Sequence, residues 1–209
     1  KSQKDILVAT DAGAPGISDP GYRLIRAALQ ADVKIKVLPG PSAVTTALLL
    51  SGLPTDRFCF EGFPPRTQGA RAKWFEELAQ QERTMIFFEA PHRITECLVD
   101  AGAAFGLDRN GAICREMSKH YEEVVRGSIA ELITWAKSKE ILGEITVVLA
   151  GFDPASRQIA DKDLIKMVLE LEEIGESRKE AIAQVAKKYA VAKRVVFDAM
   201  VTYKSEDKI

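Results

Sequence analysis

Val8 to Ile25 reads VATDAGAPGISDPGYRLI: an apolar run that empties into small residues, two Gly-Pro turns, and then the start of a helical pattern. A strand followed by a glycine loop and a capped helix is how α/β proteins present backbone N–H groups to a ligand at the carboxyl edge of a sheet. The strand is expected over Ile6 to Ala9, with Ser18 or Asp19 capping a helix that has Pro20 at its first position. The same order recurs. IKVLPGPSAVTTALLLSG, Ile35 to Gly52, sets Pro41 at a helix start and Gly52 as its stop. RTMIFFEAPHRITECLVDAG, Arg83 to Gly102, gives a strand and then Pro91 opening a helix whose Ile94, Leu98 and Ala101 share a face. GAICREMSK, YEEVVRGS and GEITVVLAG add strand candidates, and Ser128 with Glu131 forms a capping box for the helix carrying Leu132, Ile133 and Trp135. Strands alternating with helices define an α/β class with sites gathered at strand ends.

The chain has 209 residues, 46% of them apolar, which is enough to bury a sizeable core. Its longest apolar run, Ala43 to Leu50, is broken by Thr45 and Thr46 and falls far short of the roughly 20 residues that cross a bilayer. The opening KSQKDILVAT has no signal-peptide layout, so a cytoplasmic protein without a membrane partner is expected. Cys59, Cys97 and Cys114 are isolated and odd in number, which suits reduced core thiols rather than disulfides or zinc ligands. With 29 basic against 30 acidic side chains, the net charge of −1 excludes a whole-surface trap for nucleic acid but not a local basic patch.

Two breaks in the rhythm mark boundaries. SGLPTDRFCFEGFPPRTQGARAKW, with Pro54, Pro64 and Pro65, places a junction near Leu53 to Asp56, and GFDPASRQIAD precedes a strand-free tail that begins at an Asp161 cap. The expected division is therefore 1–54, 55–152 and a helical tail over 160–209. In the tail, Ser177 and Glu180 make a second capping box. Ala181, Ile182, Val185 and Ala186, then Val195, Val196 and Met200, keep a helical period. The layout is that of a helix-turn-helix with Lys187, Lys188, Lys193 and Arg194 flanking the turn; a small docking bundle with a solvated basic face accounts for it equally simply.

The familiar phosphate and hydrolase motifs are missing. Gly13, Gly16 and Gly21 do not make a G-x-G-x-x-G, and neither a P-loop nor a G-x-S-x-G occurs. His92 and His120 lack metal spacing, so no metal is expected. What the chain offers is two small-residue turns, DAGAP and PGPSA, and a polar cluster of Glu89, His92, Arg93, Arg115, Glu116, Lys119 and His120 immediately after strand candidates. Arg66, Arg71 and Lys73, with Phe63 and Trp74 close by to stack a base, form a candidate RNA patch; a charged loop leading into a helix whose Trp74 packs inward fits the same residues.

Taken in order and at these intervals, ATDAGAPGISDPGYRLI, VLPGPSAVTTALLLSGLPTDRFCFEGFPPR, IFFEAPHRI, CREMSKHYEEVVRG and GEITVVL resemble the tetrapyrrole-methylase superfamily of S-adenosylmethionine-dependent methyltransferases. Within it they are most similar to the branch that methylates a cytidine ribose 2′-hydroxyl in 16S ribosomal RNA. The resemblance runs from about Asp5 to Gly151, and the tail is similar to that branch's helix-turn-helix-like extension. Members of the family begin with a further strand and a GTPIGNL-like loop, so by resemblance the first domain is expected to be truncated at its N-terminus. Ala14 stands where relatives carry Thr, a lost hydroxyl worth about 0.5–1.5 kcal/mol if it made a hydrogen bond.

The resemblance implies two αβα-type domains with a folded S-adenosylmethionine in the crevice between them, plus the helical tail. It assigns Asp11, Ala12, Gly13, Ala14, Pro15, Pro39, Gly40, Ser42 and Ala43 to the cofactor, with Glu89 and Ala90 lining the crevice. Glu116, Gly143 and Glu144 would approach the cofactor or the acceptor from the second domain. Removal of the hydroxyl proton makes Glu116, Lys119 and His120 general-base candidates, Glu116 first. Arg66, Arg71, Lys73, Lys187, Lys188, Lys193 and Arg194 are the expected RNA contacts, with 16S ribosomal RNA in the small subunit as partner and a homodimer as assembly. Two rivals stay open: a corrinoid or protein side-chain methyltransferase of the same superfamily, and a nucleic-acid-binding regulator that reads through its helix-turn-helix and senses a ligand with its α/β part.

Overall fold

In Thr84–Glu89 every residue is buried or nearly so, and alternate side chains go to opposite layers: Met85 and Phe87 to one, Ile86 and Phe88 to the other. Such a strand must be covered on both faces. The computed structural model describes residues 5–10, 13–153, 161–189, 191 and 193–206, apart from the side chains of 161–162, 202 and 204–206. It divides into two units, Lys1–Phe152 and Asp153–Ile209.

The first unit is a mixed α/β structure around a five-stranded sheet. Its strands are β1 (Phe58–Phe60), β2 (Thr84–Glu89), β3 (Asn110–Arg115), β4 (Glu123–Ser128) and β5 (Ile145–Leu149). Their spatial order is β1-β2-β5-β3-β4; β1 and β2 are parallel and the other pairs antiparallel. One face carries Met85, Phe87, Ile113, Ile145, Val147 and Leu149. It is covered by α3 (Gln68–Leu78) through Phe75, by α4 (Ile94–Phe105) through Ile94, Leu98 and Ala101, and by α5 (Ile129–Lys137) through Ile129 and Leu132. The other face, Ile86, Cys114 and Val148, receives α2 (Ala43–Ser51) through Val44, Ala47 and Leu48. Ser128 and Glu131 close both halves of the expected capping box at α5, and Gly52 ends α2 in the left-handed region at φ 73°.

The N-terminal grammar fares differently. Neither Ile6 to Ala9 nor Ile35 to Leu38 forms a strand; Leu7 is 87% and Leu38 83% exposed. Helix α1 (Tyr22–Gln30) does form, but none of its residues is buried. It starts two residues after Pro20, and its cap is Gly21 rather than Ser18 or Asp19; Asp19 instead accepts a hydrogen bond from the Thr10 hydroxyl at 2.6 Å. A helix satisfies its own backbone, whereas a strand exists only with a partner, and no described strand pairs with these two runs. Pro41 and Pro91 also sit just outside their helices, before the caps Ser42 and Arg93.

The second unit is built from α6 (Asp161–Glu173), α7 (Arg178–Lys188) and α8 (Lys193–Glu206), packed through Leu164, Val168, Ala181, Ile182, Val185, Val196 and Met200. The Ser177 hydroxyl accepts from the Glu180 amide and caps α7, but the Glu180 carboxylate takes the Ser177 hydroxyl rather than its amide, so half of the expected capping box forms. The expected cap at the Asp161 side chain lies outside the described residues, as do Asp11 and Ala12.

Candidate functional site

The strand register brings five chain segments to one edge of the sheet. Glu89 at the end of β2 stands opposite Ile145 at the start of β5, Ile145 stands opposite Arg115 at the end of β3, and Arg115 stands opposite Glu123 at the start of β4. The Phe88 amide donates to the Gly62 carbonyl at 2.8 Å, so the chain leaving β1 reaches the same edge. Phe63, Glu89, Ala90, Gly143, Glu144, Glu116 and Lys119 therefore gather along one rim. Neighbouring strands are about 4.8 Å apart, so the rim is about 19 Å long over its four intervals.

Helix α2 points at this rim. The Ala47 carbonyl accepts from Cys114 Sγ at 3.8 Å and the Leu50 carbonyl from Arg126 Nε at 2.8 Å, while Arg126 is paired with Ala112. Residues 47 to 50 thus run back along β3, and Ser42 and Ala43 lie toward Glu116. The Ser42 side chain makes no capping hydrogen bond, so first-turn N–H groups of α2 are available to an anion. Gly13, Ala14 and Pro15 lie in backbone that is at most half-buried, and Pro39 and Gly40 are exposed; a side chain built at Gly13 or Gly40 would meet nothing within 4 Å. The structure joins Ser42 and Ala43 to the rim but supplies no such link for Gly13 to Pro15.

At the centre of the rim Glu116 has a left-handed backbone, φ 51°, a costly state for a residue other than glycine. Its amide donates to the Glu144 carbonyl at 3.0 Å. Its Oε1 accepts from Lys119 Nζ at 2.8 Å and from the Glu144 amide at 2.8 Å, and Lys119 Nζ also reaches Glu144 Oε2 at 3.0 Å. The carboxylate lies across Gly143, at φ 89°; a Cβ there would come within 2.5 Å of Glu116 Cγ and Cδ. The Lys119 hydrogen bond, followed by that of the Glu144 amide, holds the Glu116 carboxyl below its ordinary range, and Glu116 and Glu144 push Lys119 up. Glu116 and Lys119 thus form an ion pair. His120, the third candidate, is exposed and packs edge-on against Tyr121 at 4.8 Å.

Glu89 does not face the rim surface as expected. It is 3% exposed, and its Oε1 accepts from the Ala90 amide at 2.8 Å. Its Oε2 lies 3.2 Å from Arg93 Nη2 without a well-directed hydrogen bond. Burial and the neighbouring Glu89 charge push the Cys97 thiol up, which keeps it neutral. Arg71 is likewise a correction. It is 1% exposed, and its Nε donates to Asp100 Oδ2 at 2.7 Å, with Glu96 3.6 Å away. It has no surface to offer to RNA. The signal was readable: Arg71 precedes Phe75 by four residues and so shares its buried helical face. Arg66 and Lys73 are exposed, and Phe63 is 55% exposed. Trp74 packs inward, edge-on to Phe75 and Phe87. Lys187, Lys188, Lys193 and Arg194 are all exposed around the α7–α8 turn.

Among the described residues no group of three or more His, Cys, Asp or Glu side chains is placed to hold a metal, and no helix is long and apolar enough to cross a membrane.

Residues 1–133 match the model of the Tetrapyrrole (Corrin/Porphyrin) Methylases. The chain is 50% identical over 202 residues to the Ribosomal RNA small subunit methyltransferase I of Mycobacterium bovis, covering 96% of this chain and 70% of that protein. It is 40% identical over 195 residues to the protein of the same name in Vibrio cholerae, covering 92% of this chain and 67% of the relative. Among solved structures it is similar to the methyltransferase CobJ, with a TM-score of 0.50 and 18% identity, and to cobalt precorrin-4 methyltransferase CbiF, with a TM-score of 0.51 and 14% identity. Each covers 66% of this chain, which spans 62% and 61% of theirs, and the likeness is one of fold alone. With more than half its length matched by the family model, the chain belongs to the tetrapyrrole methylase family.

Proposed function

We propose that this protein transfers a methyl group from S-adenosylmethionine to small-subunit ribosomal RNA, at the ribose 2′-hydroxyl of a cytidine. The observation that carries this reading is the 50% identity over 96% of the chain to a protein named as a small-subunit ribosomal RNA methyltransferase. Fold likeness to corrinoid enzymes at 14–18% identity gives the tetrapyrrole reading no comparable support. The family membership also favours an enzyme over a ligand-sensing regulator.

The rim fits the amino-acid end of the cofactor. The uncapped first turn of α2 at Ser42 and Ala43 offers N–H groups to a carboxylate, and the exposed Glu144 carboxylate is a counter-charge for an ammonium. Asp11 to Pro15, Pro39 and Gly40 are retained as cofactor contacts from the family resemblance, as is the division into domains over 1–54, 55–152 and 160–209. The bound cofactor supplies a sulfonium methyl group with its own leaving group. The chain's part is then to hold the acceptor in line and exclude water, with the Glu116–Lys119 pair as a fixed charge beside the acceptor rather than a proton carrier. Arg66, Lys73, Lys187, Lys188, Lys193 and Arg194 meet phosphates, a homodimer is the assembly, and the cytoplasm, where ribosomal RNA resides, is the location.

The test is made on the natural full-length chain. Calorimetry should show S-adenosylmethionine binding, and labelled cofactor should mark small-subunit RNA on a ribose 2′-hydroxyl. Binding without transfer to that RNA would overturn the acceptor; no binding would overturn the whole reading.

A further inference from the structure

The segment Gly62-Phe63-Pro64-Pro65-Arg66 leaves β1 at the rim and exposes Phe63 and Arg66. Prolines contribute carbonyls but no N–H groups, so a loop of this kind cannot hold itself by ordinary turn hydrogen bonds. Two arginines from different elements do so instead. Arg93 Nη2, just before α4, donates to the Pro64 carbonyl at 3.0 Å and to the Pro65 carbonyl at 2.9 Å. Arg71 Nη1, on α3, reaches the next carbonyl, that of Arg66, at 3.5 Å. Three successive carbonyls are thus held by two guanidinium groups, each anchored in turn by a carboxylate at most a tenth exposed: Arg93 by Glu89 and Arg71 by Asp100.

We infer that Arg93 and Arg71 are positioning residues for the RNA acceptor: they fix the Pro64–Arg66 backbone so that Phe63 and Arg66 meet RNA in one orientation. This rests on the RNA methyltransferase reading. It also explains why Glu89, where β2 meets the rim, turns inward: the carboxylate holds the strap and the Ala90 amide rather than a ligand. The Pro64 and Pro65 carbonyls and Glu89 Oε2 all lie around one nitrogen, Arg93 Nη2; its two N–H groups go to the carbonyls, which leaves Glu89 Oε2 and Arg93 Nε without a hydrogen bond.

The experiment compares Arg93→Met and Arg93→Lys with wild type in the natural full-length protein, alongside Glu89→Gln/Arg93→Met, which removes the stranded carboxylate if the single variant fails to fold. Three quantities are read: NMR order parameters of the Phe63, Arg66 and Thr67 amides, the affinity for S-adenosylmethionine, and KM and kcat with small ribosomal subunits. Arg93→Met is expected to lower the loop order parameters and to raise the RNA KM tenfold or more, with kcat and cofactor affinity within twofold of wild type; Arg93→Lys should fall between. A loop that keeps its order, a loosened loop with unchanged RNA KM, or a fall in kcat alone would each overturn the inference. A wild type that binds cofactor but leaves the RNA unmethylated would overturn the acceptor reading, and with it the RNA role of the loop, while the order parameters still decide whether Arg93 holds the segment.

Discussion

Replacing Arg71 by Met separates a structural arginine from one that contacts RNA. The guanidinium is 2% exposed and Asp100, its partner at 2.7 Å, 10% exposed, so Arg71→Met strands a carboxylate beneath α3 and α4. Breaking a buried pair by removing one partner costs about 3–5 kcal/mol. In a domain of this size 1 kcal/mol moves Tm by about 2–4 °C, so the expected loss is roughly 6–20 °C. Glu96, the other carboxylate beside Arg71 at 3.6 Å, is 78% exposed and stays hydrated when the arginine is gone, so the cost falls on Asp100. The assay is thermal unfolding followed by circular dichroism, with Arg71→Met/Asp100→Leu as the companion. Removing both charges restores most of the stability, because the cost lies in the unpaired carboxylate and not in the absence of a bond. If Arg71→Met melted within about 1 °C of wild type, the burial argument would be wrong, whatever happened to RNA affinity.

Three further outcomes follow from the rim and its supporting elements. Gly143→Ala should cost about 1–2 kcal/mol from its left-handed backbone alone and should also push Glu116 off the Glu144 amide; an NMR titration would show the Glu116 carboxyl rising toward its ordinary range. The Glu116–Lys119 contribution to stability is present above the ordinary carboxylate value of 4.5 and is lost as pH falls through the lower folded value; it is also present below 10.5 and lost as pH rises through the higher folded lysine value. Glu116→Gln should therefore differ from wild type across neutral pH and converge with it in acid, and its pH–rate profile should keep its shape, since no base has been removed. Ser128→Ala should destabilise the first unit by about 1 kcal/mol through loss of the α5 cap, seen as a small fall in the urea midpoint.

Most of what stands in the structure was legible wherever one segment could decide it alone. The capping residues Ser128 and Ser177, the stop at Gly52, the alternating faces of Thr84–Glu89 and the tail helices are all consequences of local periodicity and of the four unsatisfied groups at a helix end. The clustering of Glu89, Glu116 and Lys119 just after strand candidates was likewise readable, because α/β order sends strand ends to the loops that carry sites; Glu144, just before β5, came from the family resemblance. Two kinds of fact were not legible. Ile6 to Ala9 and Ile35 to Leu38 have strand composition but no partner to pair with, and pairing is a property of two segments. The roles of Glu89 and Arg93 depend on which charges end up enclosed together: the same residue types in the same order would make a charged patch if exposed, and hold two prolines because they are buried. Period and capping belong to the sequence by itself, since they act within a few residues; partner and burial belong to the tertiary structure, since only the folded chain sets which distant groups share a region without water.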